Sequence, residues 1–156
     1  MNEIIDLHIH TNYSDGALSP KEIIDEAIKN RVSVISITDH DTVDVYTDEL
    51  CECAKKNNII LITGVEISSK LGEDSIHILG YNFDINNEAL RNKLELLKNA
   101  RYNYLYKVAI KLKELGYILD VESLEKIKII TKAHIAEKII NNNLNKELLI
   151  KNFNHI

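Results

Sequence analysis

Tryptophan is absent, and the 156 residues contain one proline, one methionine, two cysteines and five glycines. So little proline and glycine argues against a disordered or fibrous chain. No apolar run approaches the roughly eighteen residues that a membrane helix needs. The opening Met1-Asn2-Glu3-Ile4-Ile5-Asp6 lacks the basic start and apolar core of a secretory signal. Cys51 and Cys53 stand two apart on a predicted helix, where their side chains diverge, so free thiols and a cytoplasmic location are expected. A C-x-C pair can bind metal, but no second pair follows it.

What is present is globular: 45% hydrophobic and 28% charged residues, in a length that suits one domain. The net charge of −5 is unevenly spread. Residues 1–87 carry 6 Lys and Arg against 16 Asp and Glu, while residues 88–156 carry 13 against 8. An acidic front that could hold cations and a basic back that could meet an anion are one reading; ordinary solvated surface is the other.

The front alternates short apolar runs with helical stretches. Strands are expected at Glu3–His8, Val32–Ile37, Ile59–Val65 and Ile76–Tyr81. Ser19-Pro20-Lys21-Glu22 reads as an N-cap, a first-turn proline and a capping box, and opens a helix. A second helix is expected over Val45–Asn57. This order predicts an α/β layer with parallel strands. From Asn87 onward no strand is expected. Glu88–Leu115 reads as one long helix stopped at Gly116, followed by shorter helices at Val121–Lys128, Thr131–Asn142 and Asn145–Phe153. The expected division is therefore 1–86, α/β, and 87–156, all-helical.

The unusual residues gather at strand ends. His8 and His10 close the first strand, with imidazoles on one side because their spacing is two. Asp15 follows in a turn. His40, flanked by Asp39 and Asp41, ends the second strand, Glu66 ends the third, and His77 begins the fourth. In parallel α/β folds such ends share one rim, where sites form. Taken singly, each residue has an ordinary explanation: Asp15 could shape its turn, Asp41 could cap a helix, and Asp39 could equally ligate or orient a histidine. As a set they point to a metal centre. Imidazole with carboxylate suits zinc, manganese or iron better than calcium or magnesium. Glu66, with two oxygens, could bridge two ions, an arrangement that activates water and clamps a phosphate.

The ordered segments Asp6-Leu7-His8-Ile9-His10-Thr11, Ser14-Asp15-Gly16, Ile37-Thr38-Asp39-His40-Asp41-Thr42, Gly64-Val65-Glu66-Ile67-Ser68 and His77-Ile78-Leu79-Gly80-Tyr81 resemble the polymerase and histidinol phosphatase (PHP) family of metal-dependent phosphoesterases. The resemblance covers roughly residues 4–84. It implies a distorted β/α barrel, two or three divalent ions (Mn, Zn or Fe), and His8, His10, Asp15, His40, Glu66 and His77 as ligands. It further implies hydrolysis of a phosphate monoester by metal-activated hydroxide. Thr131-Lys132-Ala133-His134-Ile135-Ala136 is similar to a segment in the helical insertion of the branch that acts on nucleotides, such as nucleoside 3′,5′-bisphosphates, or on short oligonucleotides. His134, in the first turn of its helix, and Arg101 are thus expected to bind phosphate, with Lys107 a further candidate. His40 and His134 are candidates for the catalytic proton donor. Tyr102, Tyr104 and Tyr106 are expected to pack rather than to stack on bases.

One departure from the family pattern shapes the rest. Members of that branch return to the barrel after the insertion and supply a further His and a late Asp-x-His pair. Here the only histidine after His134 is His155, outside such a motif. The expectation is a partial barrel followed by its helical insertion, holding fewer ions, with catalysis by these residues alone not implied. A small phosphorylated substrate, an oligomer or second chain that completes the barrel, no membrane and no large nucleic-acid duplex complete the expected partners. The alternatives are a non-catalytic remnant that binds metal or a partner, and a histidinol-phosphatase-like enzyme. An amidohydrolase-like enzyme fits the His-x-His pair but not the later segments.

Overall fold

The computed structural model describes residues 3–153; Met1, Asn2 and His155 lie outside the described residues. The chain forms two compact units, divided between Leu97 and Lys98 within one helix.

The first unit is built on a four-stranded sheet in sequence order: β1 (Ile4–Ile9), β2 (Val32–Ile37), β3 (Ile60–Leu71) and β4 (Asp74–Tyr81). Strands β1, β2 and β3 are parallel, joined by helices α1 (Pro20–Lys29) and α2 (Asp48–Lys56). The capping box expected at Ser19 forms: its hydroxyl accepts from the Glu22 amide, and the Glu22 carboxylate accepts from the Ser19 amide at 2.8 Å. Helix α2 starts three residues later than expected. Val43, Val45 and Tyr46 are drawn into the core, and the Thr47 hydroxyl, a cap the sequence reading overlooked, accepts from Leu50 N.

The α/β class and the partial barrel stand. β4, however, is antiparallel to β3. No helix separates the two strands; residues 72–73 make a tight turn in which Gly72 has φ +62°, a conformation that favours glycine. The core is Ile23, Ile24 and Ala27 of α1, Ile35 and Ile37 of β2, Leu50 and Ala54 of α2, and Val65 of β3, closed by Leu94. The sheet is also curled. Edge strands of a flat four-stranded sheet lie about 14 Å apart, yet the Tyr81 hydroxyl on β4 donates to the Leu7 carbonyl on β1 at 2.9 Å.

The second unit is helical. It contains the later part of α3 (Glu88–Glu114), then α4 (Val121–Leu124), α5 (Lys132–Ile140) and α6 (Lys146–Phe153). Gly116, at φ +85°, ends α3 as expected. The helix expected over Val121–Lys128 is a single turn, because the chain bends after Leu124 to bury Ile129 and Ile130. Leu105, Leu124, Ile130 and Ile135 form this unit's core, with Tyr102 packed against it. Tyr104 and Tyr106 are exposed, contrary to expectation; the Tyr106 hydroxyl is spent on Glu125.

Candidate metal centre

Curling gathers imidazoles from β1, β4 and the loops after β1 and β2 on one carboxylate. Glu66 leaves β3 almost fully buried, and its two oxygens face different partners. Oε2 lies 3.2 Å from His8 Nε2, 3.0 Å from His10 Nε2 and 3.5 Å from His40 Nδ1. Oε1 lies 2.7 Å from His77 Nδ1. Contrary to expectation, Glu66 does not end β3, which runs on to Leu71, and His77 lies within β4 rather than at its start; the antiparallel pairing of Ser68 with His77 sets that imidazole beside the carboxylate.

A second carboxylate joins the cluster from the loop after β1. Asp15 Oδ1 is 3.4 Å from His10 Nδ1, and Oδ2 is 3.4 Å from His40 Nε2. All six ligand candidates from the sequence are therefore together. They form three overlapping groups: His8–His10–Glu66, His10–Asp15–His40, and His40–Glu66–His77.

The spacing fits a cation. Donors about 2.1 Å from one tetrahedral ion stand about 3.4 Å apart. His8 Nε2, His10 Nε2 and Glu66 Oε2 form a triangle with edges of 3.2, 3.0 and 3.2 Å. Nitrogen and oxygen donors in this mix suit zinc, manganese or iron.

Ionisation favours the same reading. Its hydrogen bond to His40, helped by the nearby imidazole charges, holds the Asp15 carboxyl down to about 2 despite burial. Burial and the charge on His40 push His10 below the usual imidazole value, outweighing Asp15 and Glu66. Burial would raise Glu66, but hydrogen bonds from His8 and His77 and the His40 charge bring it down overall. Near neutral pH these donors are thus inclined to the deprotonated forms that a metal requires.

The aspartates beside His40 are held by other groups. Asp39 neither touches a histidine nor joins a ligand group; wholly buried, it accepts from Thr11 N at 2.7 Å, Thr11 Oγ1 at 2.6 Å and Ser14 Oγ at 2.6 Å. Asp41 does not cap α2. At φ +51° it donates from its amide to the Glu66 carbonyl, and its carboxylate accepts from Ser68 N at 2.7 Å. His40 is thereby bridged to Glu66 on β3. Thr11 and Ser14 were missed by sequence reasoning; their signal is short hydroxyl side chains in the loop between two candidate ligands. Gly16 permits that loop, since a Cβ there would stand 2.2 Å from the His10 carbonyl oxygen.

In the helical unit, His134 completes a capping box at the start of α5: its Nδ1 accepts from Thr131 N at 3.2 Å. Arg101 Nη1 donates to the Ile130 carbonyl at 2.9 Å.

Comparison with known proteins points the same way. Residues 6–155 match the family model described as the PHP domain. A 5′-3′ exoribonuclease of Haemophilus influenzae is 34% identical over 142 residues, covering 90% of this chain and 52% of the relative. A 3′,5′-nucleoside bisphosphate phosphatase of Chromobacterium violaceum is 28% identical over 148 residues, covering 92% of this chain and 52% of the relative. A solved structure from Chromobacterium violaceum, described as an amidohydrolase with bound sulfate and no metal, superposes with a TM-score of 0.80 at 28% identity, over 91% of this chain and 51% of that one. The chain spans about half the length of these relatives.

Proposed function

Because the chain belongs to the PHP domain family, we propose that it is the metal-binding part of a phosphoesterase that hydrolyses a phosphate monoester of a nucleotide or short oligonucleotide. The observation that carries this is the straddled Glu66: one oxygen faces His8 and His10, the other faces His77. His8, His10 and Glu66 would hold one ion. Asp15 with His40, and the second Glu66 oxygen with His77, would contribute to others. Manganese, zinc or iron bound there supplies a water acidic enough to ionise near neutral pH and positive charge for the phosphate oxygens.

The nucleotide assignment draws on the names of two relatives, an exoribonuclease and a nucleoside bisphosphate phosphatase. His134 and Arg101 are the proposed phosphate contacts. With Nδ1 accepting from Thr131, a neutral His134 carries its proton on Nε2. The Arg101 guanidinium, whose planar fork of donors matches phosphate geometry, also donates to the Ile130 carbonyl. His40, between Asp15 and Glu66, is the proposed proton donor within the cluster. The reading has the protein act in the cytoplasm on a small phosphorylated substrate.

The test is phosphate release from a panel of nucleoside 3′,5′-bisphosphates, short oligonucleotides and histidinol phosphate, with added manganese. Manganese-dependent release from nucleotides, abolished in Glu66→Gln, is expected. Release from histidinol phosphate alone would overturn the substrate class. No release from any of them by the metal-loaded chain would leave an ion-binding protein without this catalysis.

A further inference from the structure

Asp39 is the most deeply buried acidic side chain beside the cluster, and it has no place among the ligands. Its two oxygens are taken by the loop that follows β1. Oδ1 accepts from the Thr11 amide and from the Ser14 hydroxyl, and Oδ2 accepts from the Thr11 hydroxyl. Thr11 Oγ1 in turn accepts from Tyr13 N at 3.1 Å. Thr11 and Ser14 are themselves buried, so the clamp is shielded from water and its hydrogen bonds are costly to lose.

The loop so held is the one that carries two ligand candidates. His10 immediately precedes Thr11, and Asp15 immediately follows Ser14. Ser14 Oγ is 3.5 Å from His10 Nδ1 and 3.4 Å from Asp15 Oδ1. With its proton directed to Asp39, the hydroxyl meets His10 Nδ1 as an acceptor. That favours a proton on Nδ1 and leaves Nε2, the atom nearest Glu66 and His8, as the donor to an ion. Thr38 N donates to the Ile9 carbonyl at 2.7 Å, so the end of β2 and the end of β1 are already fastened one residue before Asp39.

We propose that Asp39 is a positioning residue that binds no metal itself: through Thr11 and Ser14 it sets the placement of His10 and Asp15, and hence the affinity of the centre for divalent ions. This inference rests on the metal reading of the cluster but assigns a role to a residue outside it.

The test compares zinc and manganese titrations, by calorimetry, of the 156-residue chain with those of Asp39→Ala, Asp39→Asn and Tyr46→Phe, with near-ultraviolet circular dichroism as the check on folding. Asn keeps one acceptor oxygen for Thr11 N and Ser14 Oγ, so the expected order of affinity is wild type, then Asp39→Asn, then Asp39→Ala, with a loss of about 10–100-fold for the weakest. Exchange of the Thr11 amide, measured without metal, should speed up in the same order. Tyr46→Phe breaks the buried hydrogen bonds to Ile37 and Gly64 without touching Asp39, Thr11 or Ser14, and should keep wild-type affinity. Folded Asp39 variants that bind as wild type overturn the inference while the metal reading survives. Parallel losses in the Asp39 variants and Tyr46→Phe overturn it too, because general destabilisation would then explain them. Should Asp39→Ala not fold, Asp39→Asn with the Thr11 exchange rate decides. A wild-type chain that takes up neither ion overturns both this inference and the reading beneath it.

Discussion

At the scale of single residues, two side chains show how burial is made useful. Glu66 lies at the meeting point of four imidazoles, and its charge is what a cation would exploit. Glu66→Gln keeps the shape and removes the charge; zinc affinity by calorimetry should fall by about 100-fold or more, beyond the losses typical of residues that merely support a ligand. Tyr46 does the opposite job. Its hydroxyl lies 2.5 Å from the Ile37 carbonyl on β2 and accepts from Gly64 N on β3 at 2.6 Å, so one phenol stitches two strands. Burial pushes its pKa up to about 12. The folded state therefore favours the protonated phenol. That contribution is full below pH 10, the ordinary tyrosine value, and is lost as pH rises from 10 towards 12, by at most about 2–3 kcal/mol. Tyr46→Phe should cost about 1–3 kcal/mol at pH 8 by leaving the Gly64 amide unpaired. Urea midpoints of the variant and the wild type should then converge above pH 11, whereas a constant gap would show that the phenol does not titrate as the fold requires.

At the scale of elements, local signals decided how much could be read in advance. Ser19-Pro20-Lys21-Glu22 is a complete helix start within four residues, and it forms as written. Gly116 stopped α3 for an equally local reason. Misses arose where distant packing prevailed. Val45 and Tyr46 suit a helix but are buried beneath the sheet, which pushes the start of α2 to Thr47. Ile129 and Ile130 pull the chain out of α4. The direction of β4 was hidden because a short turn and a crossover look alike until the helix between them is missing. At the site, all six candidate ligands were legible, since imidazoles at strand ends are unusual. The Asp39 clamp was not, because Thr11 and Ser14 are common loop residues whose partner lies 28 and 25 positions away. Asn145 was missed for the same reason. It is fully buried, accepts from Ile118 N at 2.8 Å and donates to the carbonyls of Ile118 at 2.8 Å and Ile139 at 3.0 Å. It thus ties the loop after α3 to the end of α5. Asn145→Ala should destabilise the helical unit by about 2–3 kcal/mol, read as a lower thermal midpoint in circular dichroism at 222 nm.

At the scale of the molecule, the first unit sets its stability against its chemistry. The sheet brings imidazoles and two carboxylates into contact distance, where any proton gained by one histidine repels its neighbours: the tilted rings of His10 and His40 have centroids 4.7 Å apart. A divalent ion would replace that repulsion with attraction and would bind only the folded arrangement, because the unfolded chain scatters the six donors between positions 8 and 77. Zinc at about 100 times its dissociation constant should therefore raise the unfolding free energy by about 2.7 kcal/mol. The gain should shrink as pH falls below about 6.5, where ordinary imidazoles take up protons. His10 is held below that value by burial and by the charge on His40. Thermal melts with and without zinc at pH 7.5 and pH 5.0 test this directly. A shift that is large at pH 7.5 and nearly absent at pH 5.0 is the expected result. A shift of equal size at both would mean that the stabilising ion sits on carboxylates alone, away from the histidines that the curled sheet assembles.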